Sequence, residues 1–367
     1  MFGIKKQETG QQITAEQVMK ALTKVIDPDL HRDIVSLGMV SEVRVQAGGK
    51  VGFKLTLTTP ACPLKEKIEG DCKQALAAVP GVTEVEIESA ATVASQRVQP
   101  AGKEPVPGIK NIIAVTSGKG GVGKTTVAIN IAAALAHLGS RVGILDADIT
   151  GPNVPLMLGV DKEQPQAKDN RIKPVENYGV KCISMAFFVA KDTPIIWRGP
   201  MLDKAIRQFL RDVDWGELDY LIVDMPPGTG DAQLTMVQAT QMAGGVIVTT
   251  PQEVALLDGR KGMAMFKQMN VPVFGFVENM SYFQLPGTTD PAQRVDIFGH
   301  GGGKRLAEEM AVPFLGEVPL DPAIRQGGDE GKPIVVMDPL HPVSQAFISI
   351  AKQLAAQISI HALSQTN

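Results

Sequence analysis

Residues 117–126 read SGKGGVGKTT, and the rest of the chain is organised around that stretch. Gly118, Gly123, Lys124 and Thr125 satisfy the pattern G-x-x-x-x-G-K-[ST]. An apolar run, NIIAVT at 111–116, precedes it, and VAINIAAALAHLG at 127–139 follows with the composition of a helix. The loop therefore sits between a strand and a helix, the context the pattern requires. Glycines without a Cβ let successive N–H groups turn toward phosphate oxygens, and the first turn of the helix adds its positive end. Gly118, Lys119, Gly120, Gly121, Val122, Gly123, Lys124, Thr125 and Thr126 are the residues expected to hold a nucleotide. In this pattern Lys124 reaches the β- and γ-phosphates and Thr125 offers its hydroxyl to Mg²⁺.

Further short apolar runs, at 141–145, 219–223, 245–250, 272–278 and 313–318, alternate with longer helical patterns. Such runs suit strands buried on both faces of a sheet. The fold expected is α/β, a doubly wound, mostly parallel sheet whose ligand lies beyond the carboxyl ends of the strands. Carboxylates stand where phosphate chemistry needs them. Asp146 and Asp148 lie two apart after the run RVGIL, and Asp224 closes LDYLIVD, the position from which a carboxylate holds Mg²⁺, often through water. Gly228, in MPPGTGD, follows within reach of a γ-phosphate.

The 367 residues are 20% charged and 44% hydrophobic, with 36 basic and 39 acidic side chains. At roughly 100–200 residues per domain this predicts two or more folding units, and excludes a disordered or collagen-like chain. VQPAGKEPVPGIK at 98–110 carries three prolines and two glycines and reads as a linker between a small domain, 1–97, and a large one, 111–367. In the small domain Thr14 caps a helix from Ala15 to Ile26 with Val18, Met19, Leu22, Val25 and Ile26 on one face. SEVRVQ and KVGFKLTLTT form a hairpin around AGG, a second helix runs from about Leu64 to Ala78, and VTEVEIES is a further strand, giving an α+β unit.

No apolar run approaches the roughly 18 residues of a membrane span. MFGIKKQETGQQ has no apolar stretch of a secretory signal, so a cytoplasmic, reducing location is expected. The three cysteines form no C-x-x-C pair. Cys62, in TTPACPLKEKI, stands just ahead of a helix whose positive end would lower its pKa and favour thiolate. Cys72, inside the second helix, and Cys182, in VKCISMAFF, read as core residues. His300 in IFGHGGGKRL reads as a loop residue, and GGGKRL is no second phosphate loop because Arg305 stands where Ser or Thr is required.

Lys119, immediately after the first glycine, makes the loop resemble the deviant variety of the MinD and ParA group of dimeric ATPases. The resemblance implies a homodimer enclosing two nucleotides, with Lys119 crossing to the nucleotide of the partner subunit and Asp148 positioning the attacking water. Lys119, Lys124 and Asp148 are then the catalytic residues, with Thr125 and Asp224 on Mg²⁺. Asn279, closing VPVFGFVEN, resembles the asparagine that reads the adenine edge, which implies ATP; no N-K-x-D guanine signal occurs.

WRGPMLDKAIRQFL (197–210), DMPPGTGD (224–231), TTPQEVALLD (249–258) and VENMSYF (277–283) resemble the Mrp/ApbC family of ATPases that carry iron–sulfur clusters. DPDLHRDIVSLGMV (27–40) and TLTTPACPL (56–64) resemble the small domain fused to many Mrp proteins and found alone in SufT-like assembly factors. The resemblance implies ATP hydrolysis in the service of cluster delivery, with ATP, Mg²⁺ and an iron–sulfur cluster bound. Its partners would be assembly factors and apoprotein acceptors, not a membrane or nucleic acid.

One departure stands out. The family usually supplies a C-x-x-C pair after VENMSYF, whereas QLPGTTDPAQRVDIFGHGGG follows here and no cysteine occurs after Cys182. A cluster normally takes four thiolates, so Cys62, which matches the cysteine of the small domain's motif, is the remaining candidate for handling iron. A MinD-like membrane cycle and a ParA-like DNA partition cycle are the rival readings. The first needs a terminal amphipathic helix with a basic face. From 343 onward only Lys352 is a fixed cation, so Phe347, Ile350, Ala351, Leu354 and Ile358 are expected to dock on the chain's own core. The second needs a basic surface, which a net charge of −3 does not encourage.

Overall fold

In the computed structural model, which describes residues 13–95, 105–148, 151–168, 171–188, 199–285, 288 and 290–364, the first helix opens on a reciprocal cap. Thr14 Oγ1 accepts from the Gln17 N–H at 3.2 Å and Gln17 Oε1 accepts from the Thr14 N–H at 3.0 Å. This helix, α1, spans Ala15–Leu22 and stops four residues short of the expected Ile26. The Thr23 N–H turns back to the Met19 carbonyl, and the β-branched Val25 and Ile26 that follow are weak helix formers. Val25 still reaches the core, whereas Ile26 is exposed.

The chain divides into two units, Met1–Val93 and Ala94–Asn367. The expected linker lies outside the described residues as far as 104, and its last two residues already belong to a strand. In the first unit β1 (Val40–Gln46) and β2 (Lys50–Leu57) form the antiparallel hairpin, α2 covers Lys65–Ala77, and β3 (Glu84–Ala91) returns parallel to β2. Val51, Phe53 and Leu55 of β2 pack with Val18, Leu22, Ile68 and Leu76 of the helices in one apolar core.

Among the described residues the second unit carries seven parallel strands: β4 (Ile109–Ser117), β5 (Val142–Asp146), β6 (Val180–Ser184), β7 (Leu218–Asp224), β8 (Gly244–Thr249), β9 (Val273–Gln284) and β10 (Phe314–Leu320). Their order is β6-β5-β7-β4-β8-β9-β10, with short antiparallel strands Val175–Asn177 beside β6 and Arg294–Val295 beside β9. From β4 the chain moves to β5 and β6 on one side, comes back to insert β7, and continues to β8, β9 and β10 on the other. The carboxyl end of β4 therefore sits where the winding reverses, the place where this architecture leaves a crevice.

Helices α3 (Lys124–His137), α4 (Gly199–Arg211), α5 (Asp231–Ala239), α6 (Glu253–Gln268), α7 (Gly302–Glu309), α8 (Pro322–Asp329) and α9 (Pro342–Ser364) flank the sheet. Trp197 and Arg198, which open the expected motif 197–210, lie outside the described residues. Two strands differ from expectation. VKCISMAFF holds β6, which the sequence showed only as a core run, and β9 continues beyond Asn279 through a kink at Met280, whose φ is +54°. Helix α9 is long and apolar enough to cross a membrane, but it is a core helix, more than half buried. Phe347, Ile350, Ala351, Leu354 and Ile358 are all buried, and α9 packs against α3 and β10.

Candidate functional site

The carboxyl ends of β4 and β10, the turns after β5 and β7, and the kink of β9 at Asn279 and Met280 meet around one cavity of about 560 Å³. Ser117 ends β4, and its hydroxyl donates to the Lys119 carbonyl at 2.9 Å, which folds the loop back at its first turn. Gly121 and Gly123 have φ of +81° and +80°, the left-handed region that an unbranched glycine enters freely. A Cβ on Gly123 would stand 2.2 Å from Asn279 Nδ2, so a larger residue there would displace the amide that holds the Val122 carbonyl. Nothing lies within 4 Å of a Cβ built on Gly120 or Gly121, so the backbone there fronts open space of the kind a phosphate fills.

Six of the nine loop residues expected to hold a nucleotide line this cavity: Gly120, Gly121, Gly123, Lys124, Thr125 and Thr126. Gly118, Lys119 and Val122 are not among the lining residues. Gly118 lies against Asp258 of α6, and the Val122 side chain is buried. Lys119 is half-buried.

Lys124 is buried, and its Nζ donates to Asp224 Oδ1 at 2.6 Å and to Thr125 Oγ1 at 3.3 Å. Thr125 Oγ1 in turn donates to Asp224 Oδ2 at 2.7 Å, and Asp148 Oδ2 stands 3.8 Å from the ammonium. Four of the five residues that sequence reasoning assigned to metal and catalysis are thus brought to one point; Lys119 is not among them.

Asp146, the register partner of Asp224 across β5 and β7, has a different role. Its carboxyl accepts from Ser184 Oγ at 2.9 Å and from the Asp148 and Val154 N–H groups, each at 3.2 Å. It ties the ends of β5 and β6 to the turn that follows, as a strand-end aspartate does. Burial and then the neighbouring Asp224 charge push it up to about 8. Burial also raises Asp224, against the pull of the Lys124 ammonium and the Thr125 hydroxyl. The ammonium contact favours charge on Asp224, and burial beside that charge favours the protonated form of Asp146.

One expectation gains a second contact here and one needs correcting. Asn279 lines the cavity, but its Nδ2 donates to the Val122 carbonyl at 2.8 Å, so it first braces the phosphate loop. The Gly228 N–H donates to the Ser117 carbonyl at 2.9 Å instead of turning into the cavity. The far wall, Pro319, Leu320, Asp321, Ile324 and Arg325, escaped sequence reasoning. These residues follow the last apolar run, at the strand end where the fold rule places ligands, which was the available signal.

Cys62 is corrected as well. Its thiol is pushed up, first by burial and further by Asp27 and Asp29, and the Leu64 and Lys65 N–H groups of the helix start offset this only in part. Burial pushes Cys72 up to about 12 and raises Cys182 well above the usual thiol range. Cys72 and Cys182 are core residues. His300, set aside above as a loop residue, has its Nε2 2.8 Å from Glu317 Oε2.

Residues 108–355 match the family described as NUBPL iron-transfer P-loop NTPase, and residues 15–87 match one described as iron-sulfur cluster assembly protein. The chain is 52% identical to the iron-sulfur cluster carrier protein of Synechocystis over 96% of its own length and 99% of that protein's. It is 50% identical to the carrier protein of that name from Deinococcus radiodurans, over 95% and 97% of the two chains. Among solved structures, a nucleotide-binding protein from Archaeoglobus fulgidus in complex with ADP superposes with a TM-score of 0.58 at 38% identity, covering 66% of this chain and 93% of that one. The septum site-determining protein MinD of Pyrococcus horikoshii, complexed with Mg-ADP, gives a TM-score of 0.50 at 27% identity over 66% and 94%.

Proposed function

Since the chain belongs to the iron-transfer P-loop NTPase family, we propose that it binds and hydrolyses ATP with Mg²⁺ and serves as a carrier or assembly factor that delivers iron–sulfur clusters to apoproteins. The observation that carries this reading is the buried Lys124–Asp224–Thr125 constellation at the mouth of the glycine loop. Backbone N–H groups of Gly120 to Lys124 front the space for the phosphates, and the positive end of α3 adds to them. Thr125 and Asp224 are the residues to hold Mg²⁺, which neutralises developing charge on the phosphate oxygens. Exchanging its Asp224 partner frees the Lys124 ammonium for the β- and γ-phosphates.

Asp148, on the cavity wall beside Lys124, orients the attacking water. Asn279 keeps its carbonyl oxygen for the adenine amino group while its nitrogen braces the loop. Lys119 does not line the cavity of its own chain, as suits a lysine that completes the site of a second copy in a homodimer. The cluster is cargo in this scheme. A dimer has two Cys62 thiols, and the remaining ligands come from assembly factors or the accepting apoprotein. We place this cycle in the cytoplasm, without a membrane or nucleic-acid partner.

The test is ATP turnover by the full chain together with anaerobic reconstitution with iron and sulfide. Hydrolysis in the wild type, lost in Lys124→Ala and in Lys119→Ala, with cluster absorbance in the wild type, supports the reading. Hydrolysis indifferent to Lys124 overturns it, and no absorbance overturns the carrier role and leaves that of an assembly factor.

A further inference from the structure

On the sheet beyond Asn279, three metal-ligating side chains converge from separate elements. Glu278 comes from β9, Glu317 from β10 and His300 from the turn before α7, and one ligand atom from each lies within 4.8 Å of the other two. Glu278 is fully buried, while the His300 and Glu317 side chains are 40% and 31% exposed, so the cluster opens to solvent on one side. None of the three lines the nucleotide cavity.

The electrostatics of this cluster call for a cation. Glu278 and Glu317 are register partners on adjacent parallel strands, and like charges directly across a ladder repel. Among the described residues His300 is the sole basic side chain in an ion pair with either carboxylate. Glu278 is otherwise held by the Gly301 N–H at 2.9 Å, the Gly303 N–H and Ser281. Ser281 Oγ stands 2.5 Å from Glu278 Oε1 and 3.1 Å from Glu317 Oε2. A hydroxyl has one proton to give. Ser281 can therefore serve only one of those two contacts, and the other needs positive charge from elsewhere, which a cation between the carboxylates supplies.

The donor chemistry narrows the ion. Two carboxylates and an imidazole suit borderline divalent ions such as Fe²⁺, Mn²⁺ and Zn²⁺; soft Cu⁺ prefers sulfur and Ca²⁺ needs more oxygens. Metal–ligand bonds of about 2.0–2.2 Å put ligand atoms about 3–4 Å apart, so only small side-chain shifts close the set. The Tyr282 ring lies edge-on to His300 with centroids 6.0 Å apart, and Arg294 stacks over Tyr282 at 4.0 Å, which holds the imidazole in place. We propose that Glu278, His300 and Glu317 form a divalent transition-metal site of the ferrous class, separate from the Mg²⁺–nucleotide site and independent of the cluster-delivery reading.

The experiment titrates chelator-treated, full-length chain with Co²⁺ under anaerobic conditions, following visible absorption, and measures Fe²⁺ bound after desalting. The expected result is an ion that remains in Asp224→Asn and whose affinity falls about tenfold or more in His300→Ala and in Glu317→Gln. Glu278 also holds the first turn of α7, so the two more exposed ligands are varied, and His300→Gln is a second variant that keeps the size of the side chain. ADP affinity and the thermal midpoint without metal stay as in the wild type. No bound ion in the wild type, binding unchanged in the His300 and Glu317 variants, or binding abolished by Asp224→Asn alone overturns the proposal.

Discussion

The two units place a reactive group at the start of a helix and arrive at opposite results. At the start of α3, Lys124 and Thr125 meet the carboxylate of Asp224, and opposite charges hold a compact polar cluster in a buried place. Near the start of α2, burial and then the neighbouring Asp27 and Asp29 charges drive the Cys62 thiol away from the thiolate although helix N–H groups point at it. A helix start alone therefore does not activate a side chain. Burial and the sign of the nearest charges decide.

The largest effect that sharpens this comparison is expected for Lys124→Ala. It removes the ammonium that faces Asp224 and, in the cycle proposed above, the transferred phosphate, so ATP turnover should fall on the order of a thousandfold. Turnover within a few-fold of wild type would break the contrast. Next, Phe53→Ala empties a fully buried position in the small unit and costs that unit about 3 kcal/mol or more. Because the large unit has its own core, ADP affinity should remain that of the wild type while the melting profile gains an earlier transition. Loss of ADP binding in parallel with that transition would contradict it.

A smaller effect concerns Asp146. Its carboxyl is protonated in the fold up to about pH 8 and ionised in the unfolded chain above about pH 4. The folded state thus binds the extra proton across that window, so its contribution to stability falls as pH rises from about 4 to 8, by at most about 1.4 kcal/mol per pH unit. Urea unfolding of wild type and Asp146→Asn at several pH values measures this, and the variant should show the flatter dependence; equal slopes would refute it. The smallest effect is the rate of Cys62 alkylation. With its thiol raised, iodoacetamide should label Cys62 severalfold more slowly at pH 7 than a free thiol. Faster labelling would restore the activated cysteine that the sequence suggested.

The phosphate loop was legible because its chemistry is local: eight consecutive residues carry the turn, the cation and the hydroxyl. The apolar runs at 219–223 and 245–250 were legible as β7 and β8 for a similar reason, since strands buried on both faces leave a continuous signal. What stayed hidden depends on partners far apart in the chain. Asp146 reads as a match for Asp148 until Ser184 on β6 is seen to donate to it. Cys62 looked activated because the helix start is next to it in sequence, whereas Asp27 and Asp29 lie more than thirty positions away. Glu278, His300 and Glu317 come together only through the β9–β10 register, which no local pattern states.

The claim that joins the two units is that ATP hydrolysis at Lys124 serves cluster delivery in a chain without the paired cysteines. The direct test is anaerobic activation of an apoprotein that needs an iron–sulfur cluster, with iron, sulfide, ATP and Mg²⁺, timed for wild type and Lys124→Ala. Faster activation with wild type and none of that gain with Lys124→Ala is the result expected. Equal activation by both proteins, or no gain over the chain-free reaction, would contradict the account.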